Sequence, residues 1–222
     1  MLRRMTKAQV RTDDEAKTIT GIGAVYYNGS KETEFQVYPG AFERIMPGAF
    51  DRAVAEDNVV GLFNHDPSQI LGRTSSGTMR LKATDRGLEY EIDTADTSIS
   101  RDVAEHIRRG DVSGSSFAFT IPEGGHEWTR EDRDGKRVDI RSISQVRLYD
   151  TGPVVNPAYA ATEADLREIR SSLEEFRGLD PDTEEENPAE EPETQQPSTM
   201  PAARARAAIV GAEALDLTQF GG

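Results

Sequence analysis

SISRDVAEHIRRGDVSGSSFAFTIP, residues 98–122, sets an amphipathic helix before a glycine turn and a short apolar strand. Ile99, Val103 and Ile107 recur at four-residue spacing and share one helix face. Asp102 and Glu105 lie toward the start, Arg108-Arg109 at the end, and Gly110 follows as a stop. Charge order and glycine both suit a helix whose dipole is negative at its C-terminus. Beyond the turn, Phe117 and Phe119 alternate with Ser116 and Ala118, as on the two faces of a strand. Gly114-x-Ser116-x-Ala118 has the outline of a nucleophile elbow, but an elbow needs strand, sharp turn and then helix. The order here is helix, turn, strand, so the elbow reading fails and Ser116 is expected on a strand. It is then either a nucleophile or a small polar residue in a structural role.

Outward from this stretch, strands dominate. Ile19–Tyr27, Val59–Phe63, Met79–Ala83 and Leu88–Ile92 are short runs of β-branched, aromatic or alternating residues between turn signals. Asp134-Gly135 predicts a tight hairpin between Glu127–Thr129 and Val138–Ile140. Gln145–Asp150 alternates, with Val146, Leu148 and Asp150 expected on one face. A second helix is expected from Thr162, with Asp165 completing a variant capping box and Leu166, Ile169, Leu173 and Phe176 as its stripe. These elements predict a β-rich α+β domain with two or three helices over residues 1–178, with a barrel as the candidate architecture. Residues 179–200, LDPDTEEENPAEEPETQQPSTM, hold four prolines and no Lys or Arg. Such a stretch cannot bury enough apolar surface to offset its ordering entropy, so it is expected to be a disordered acidic linker. An alanine-rich tail follows at residues 201–222.

Composition narrows the function. A net charge of -14 disfavours nucleic-acid binding, which relies on Lys and Arg to neutralise phosphates. The absence of cysteine removes disulfides, thiolate nucleophiles and Cys-based zinc sites. No run approaches the ~18 apolar residues of a membrane span, and the basic Met1–Met5 segment lacks the apolar core of a signal peptide. No cofactor motif occurs, and the expected location is the cytoplasm.

A serine hydrolase needs a base, and only three histidines exist. His106 falls off the helix stripe and is expected to be partly exposed; His126 is expected in a loop. His65, in Phe63-Asn64-His65-Asp66-Pro67, ends a strand run and precedes a turn, where it can face a cleft or simply lie on the surface. Asp150, at the end of its strand, can orient an imidazole and stabilise its protonated form, or face water.

Several segments taken together resemble the tailed-phage prohead, or capsid maturation, serine proteases. Pro39-Gly40-Ala41-Phe42 and Pro47-Gly48-Ala49-Phe50 resemble that family's early Pro-Gly-Ala-Phe signature, the second more closely because an amphipathic segment follows it. Phe63-Asn64-His65-Asp66 with Ile70-Leu71-Gly72-Arg73 resembles the segment of the catalytic histidine. Gly114–Phe119 resembles the nucleophile segment, and Leu148–Tyr159 the closing pattern. The resemblance spans residues 19–160 in order. Three positions depart from it: Asp150 for the common Glu, Gly152 for Ser, and Ala118 for Gly.

The resemblance implies a closed β-barrel with surrounding helices, similar in fold to herpesvirus assembly proteases. It implies a catalytic set of Ser116, His65 and Asp150, and a homodimer. Its implied substrates are major capsid protein and scaffold segments, and the protease itself, inside the immature capsid in the bacterial host cytoplasm. For a serine nucleophile, apart from the resemblance, backbone N–H groups near Gly152 and the Arg147 side chain are candidate oxyanion donors. Two other readings stand beside it. One is a non-enzymatic scaffold or capsid-assembly module. The other, a metal-dependent hydrolase, would need ligands beyond His65 and Asp66, and no H-x-x-x-H pairing supplies them.

Overall fold

The computed structural model describes residues 1–6, 10–13, 17–155 and 163–179. All of these lie in the first of two units into which the chain divides, Met1–Pro181. The expected linker beyond residue 179, the tail at 201–222, and residues 156–162 lie outside the described residues. So do the side chains of the expected capping pair, Thr162 and Asp165.

Among the described residues, thirteen strands and three α-helices follow one another. They are β1 (Leu2–Thr6), β2 (Val10–Asp13), β3 (Thr18–Val25), β4 (Glu34–Tyr38), β5 (Ala41–Ile45), α1 (Asp51–Glu56), β6 (Val60–Leu62) and β7 (Ile70–Arg73). Then come β8 (Met79–Thr84), β9 (Gly87–Asp93), α2 (Ser98–Arg109), β10 (Gly114–Thr120), β11 (His126–Arg133), β12 (Lys136–Ile143), β13 (Arg147–Val154) and α3 (Glu163–Gly178). The strands form a five-stranded sheet ordered β1-β10-β13-β6-β7 and two four-stranded sheets, β11-β12-β5-β4 and β2-β3-β9-β8.

Local chemistry accounts for many boundaries. The Thr97 side chain accepts from Ser100 N–H and starts α2, while Gly110 stops it at φ 83° with its N–H on the His106 and Ile107 carbonyls. Val103 and Ile107 are buried and Ile99 packs at their margin, as their spacing predicts. Asp134 and Gly135 take φ of 55° and 76° and join β11 to β12, the left-handed pair that a two-residue hairpin requires. In α3, Ile169 and Leu173 are buried, and Phe176 stacks on Trp128 at 6.0 Å between centroids. Leu166, expected in that stripe, is exposed.

The larger core joins elements of all three sheets. Phe50, Phe117 and Phe119 form its centre in successive ring contacts of 5.5 and 4.9 Å, with Leu2, Leu88 and Ile143 among its fully buried members. A second core lies under α2, built on Ile19, Tyr90, Ile92 and Val103.

The expected closed barrel is not formed. Among the described residues each sheet keeps two edge strands, and no hydrogen-bonded ladder joins one sheet to the next. Closure needs a continuous, staggered ladder. Here two of the end strands, β7 and β2, are only four residues long. Small residues let sheets meet by side-chain contact instead. Gly23 of β3 lies so close to β13 that an added Cβ would come within 2.5 Å of Thr151 Oγ1. The β-rich character and the helices agree with expectation; the architecture is three packed sheets.

Candidate active site

Ser116, His65 and Asp150 come together on the five-stranded sheet. Ser116 lies on β10 opposite Gly152 of β13, and Asp150 lies opposite Ala118. Directly opposed residues share a face, so Ser116 and Asp150 sit diagonally on the same side, within reach of one bridging ring. The other face carries Phe117 and Phe119, both fully buried in the core.

The regular ladder from Gly152 to Asp150 puts the carboxylate on this face, and a bulge just before Asp150 sends Leu148 to the other. The register shifts between Ala118 and Phe119, so that Asp150 opposes Ala118 while Leu148 opposes Phe119. Leu148 therefore faces the core and Asp150 the opposite side, although plain alternation puts them on one face. Bulges bend a strand and re-aim its side chains in this way.

His65 is delivered by the turn after β6. Asp66 N–H donates to the Phe63 carbonyl at 3.0 Å, and the two central residues, Asn64 and His65, have φ of 54° and 57°. This is the pattern of a type I′ turn, whose second central position usually holds glycine. A histidine there carries a backbone cost of about 1–3 kcal/mol, a feature that clusters at functional sites. β6 runs parallel to β13, and the approach is close: an added Cβ on Gly152 would stand 2.1 Å from the Leu62 carbonyl oxygen. The serine common at this position in the resembling family would collide with that oxygen.

The three side chains form one hydrogen-bonded row. His65 Nδ1 contacts Asp150 Oδ1, and His65 Nε2 lies 2.5 Å from Ser116 Oγ. Relative exposures of 9% for His65, 6% for Asp150 and 0% for Ser116 leave little water to compete. Ser116 Oγ also lies 2.9 Å from the carbonyl of Arg4 on β1. One hydroxyl proton cannot serve both neighbours. With Nδ1–H donating to Asp150 and Nε2 unprotonated, the hydroxyl donates to His65; with Nε2 protonated, it donates to Arg4 instead.

Groups that the sequence reading did not single out hold the nucleophile's strand. Thr151 Oγ1 donates to the Ser116 carbonyl at 2.9 Å. Ser115 Oγ lies 2.9 Å from the Tyr90 hydroxyl, which reaches it from β9; burial pushes that phenol's pKa up, against a smaller lowering from the Ser115 bond. Arg4, whose carbonyl meets Ser116, makes a paired contact with Glu43 at 2.5 and 2.9 Å, and both side chains are fully buried. None of these lies near its partners in sequence, so no local pattern marks them.

The other candidates are placed elsewhere. Arg147 is exposed and pairs with Asp57 at 3.6 Å. His106 is exposed at the end of α2, 3.4 Å from Asp111. His126 begins β11 rather than lying in a loop. Burial lowers its pKa, with Arg141 adding to that and Glu43 opposing it. Asp66 turns to Ser68 and Gln69 within its own loop. Among the described residues, no group of three His, Asp or Glu gathers as a metal-ligand set.

Comparison with curated proteins gives no match, and comparison with solved structures gives none either. A family model does match, that of the caudovirus prohead serine proteases, over residues 6–177. That span includes Ser116, His65 and Asp150 and both Pro-Gly-Ala-Phe segments, and the chain belongs to the caudovirus prohead serine protease family.

Proposed function

We propose that the protein is a serine endopeptidase of prohead maturation, with Ser116 as nucleophile, His65 as general base and Asp150 as the group that orients the base. The observation that carries this reading is the unbroken row Asp150–His65–Ser116, in a family of serine peptidases that act on phage proheads.

The geometry suggests the following steps. Asp150 accepts from His65 Nδ1–H, which fixes the tautomer with Nε2 free to accept. As Ser116 Oγ attacks a peptide carbonyl, Nε2 takes its proton, and Asp150 stabilises the imidazolium that forms. Nε2 then gives the proton to the leaving amine. An acyl-enzyme remains on Ser116, and water attacks it with the same base. Ser116 is fully covered in the state described, so a peptide reaches it only when the surface around it opens.

The substrates proposed are segments of the major capsid protein and scaffold, and the chain itself, inside the immature capsid in the bacterial host cytoplasm. Residues 1–178 would be the protease domain, 179–200 an acidic linker and 201–222 a tail; a homodimer is the proposed assembly. Among the described residues no helix is long and apolar enough to cross a membrane.

Intact-mass spectrometry after co-expression with the cognate capsid and scaffold proteins tests this. Fragments made with the wild type and absent with Ser116→Ala are expected, and their ends map the cleavage sites. Intact proteins with both, in assembled shells, would instead favour a non-enzymatic assembly module.

A further inference from the structure

We propose that Asn64 is a positioning residue that aims the His65 imidazole by clasping its turn to β13. This rests on the reading of His65 as the base. Asn64 makes two bonds past Asp150, one to β13 and one to the residue that follows it. Its backbone N–H donates to the Pro153 carbonyl at 3.1 Å, and its side-chain Oδ1 accepts from Val155 N–H at 2.9 Å. The parallel ladder between β6 and β13 pairs Val60 with Asp150 and Gly61 with Thr151. Beyond it the β6 chain leaves the sheet for the turn. The Asn64 side chain then supplies a bond that the departing backbone cannot make.

The His65 ring has to meet Asp150 and Ser116 at once, so a small rotation of the turn breaks both contacts. Two consecutive left-handed residues make the turn unusual, and such a conformation persists only where its surroundings hold it. Asparagine tolerates the left-handed region and histidine is less suited to it, so the holding force must come from a neighbour of His65. The remaining side-chain bonds of the loop, from Ser68 and Gln69 to Asp66, are internal to it and fix nothing to β13. Asn64 is itself exposed, so its contribution is the clasp and not core packing.

Two substitutions separate aiming from folding. Asn64→Gly removes the acceptor and is at ease at positive φ. Asn64→Asp keeps both an acceptor and tolerance of the left-handed region. Each is made in the full chain for kinetics on the capsid protein. Each is also made in a Ser116→Ala background for NMR observation of the far-downfield proton that His65 Nδ1–H shares with Asp150. Asn64→Gly should keep the fold by circular dichroism, lose that resonance, and lower kcat about 10- to 100-fold with KM unchanged, the scale of a small misplacement of a reacting group. Asn64→Asp should keep the resonance and hold kcat within a few-fold of wild type.

A full resonance and full kcat in Asn64→Gly would overturn the proposal. So would equal losses in both variants, or the absence of the resonance when Asn64 is present. The serine reading fails by a different sign, namely equal cleavage by wild type and Ser116→Ala, and the NMR result still decides the clasp.

Discussion

Each member of the row Asp150–His65–Ser116 has a different amount to lose. In the proposed mechanism the Ser116 hydroxyl forms the acyl bond, and His65 is the only base touching it among the described residues. Asp150 acts through His65. Ser116→Ala is therefore expected to lower kcat by about 10⁶-fold and Asp150→Asn by about 10⁴-fold, the pattern of triads whose members act as a unit. Both variants should keep the wild-type fold. Steady-state cleavage of the capsid protein checks this; equal damage from the two would mean that Asp150 does more than orient the base. Aspartate in place of the family's common glutamate has a shorter reach. Its place two residues before Gly152 on β13 puts its carboxylate on the Ser116 face, where it meets His65 Nδ1 directly.

Position in an element decides what the neighbouring residues tolerate. Gly152→Ser restores a residue common in the resembling family, yet here the new side chain meets the Leu62 carbonyl. It should destabilise the domain by about 1–3 kcal/mol, the usual cost of overpacking, and displace the turn that carries His65. Urea unfolding together with the kcat of the variant measures both; a neutral result would show that β6 and β13 separate easily.

The same scale shows what was legible in advance. The helix over residues 98–109, the Asp-Gly hairpin and the strands around Ile19, Met79, Leu88 and Leu148 follow from periodicity and turn chemistry, which are local. The three residues of the row were identified by resemblance joined to local pattern. The bulge that takes Leu148 off the Asp150 face, the left-handed turn at Asn64-His65 and the clasp to β13 come from pairing between distant segments, and no nearby residue signals them. The barrel failed for a related reason: alternation marks a strand but not whether its sheet closes, and facing small residues such as Gly23 favoured stacking.

At the scale of the molecule, charge ties together the strands of one whole sheet, β11-β12-β5-β4, on an acidic chain. Glu34 of β4 accepts from Arg133 at 2.7 and 2.8 Å and from Arg44 at 2.7 Å, and Arg44 also reaches Glu131. Burial alone raises the Glu34 carboxyl pKa; the bonds from Arg133 and Arg44 outweigh it and hold the group below the ordinary carboxylate range. A carboxylate depressed on folding stabilises the folded state above its unfolded pKa, and that contribution is lost as pH falls through the folded value. Glu34→Gln should therefore lower Tm most near neutral pH, and the gap from wild type should narrow below about pH 4. Calorimetry across that range checks the sign, and a gap that widens on acidification would contradict it.

The central claim, that His65 activates Ser116, is tested most directly by intact mass and peptide mapping of the full chain after reaction with a fluorophosphonate. The account predicts one adduct on wild type, located on Ser116, and none on Ser116→Ala or His65→Ala. Equal labelling of Ser116→Ala would contradict it, as would a wild-type chain that cleaves capsid protein and takes no adduct at Ser116.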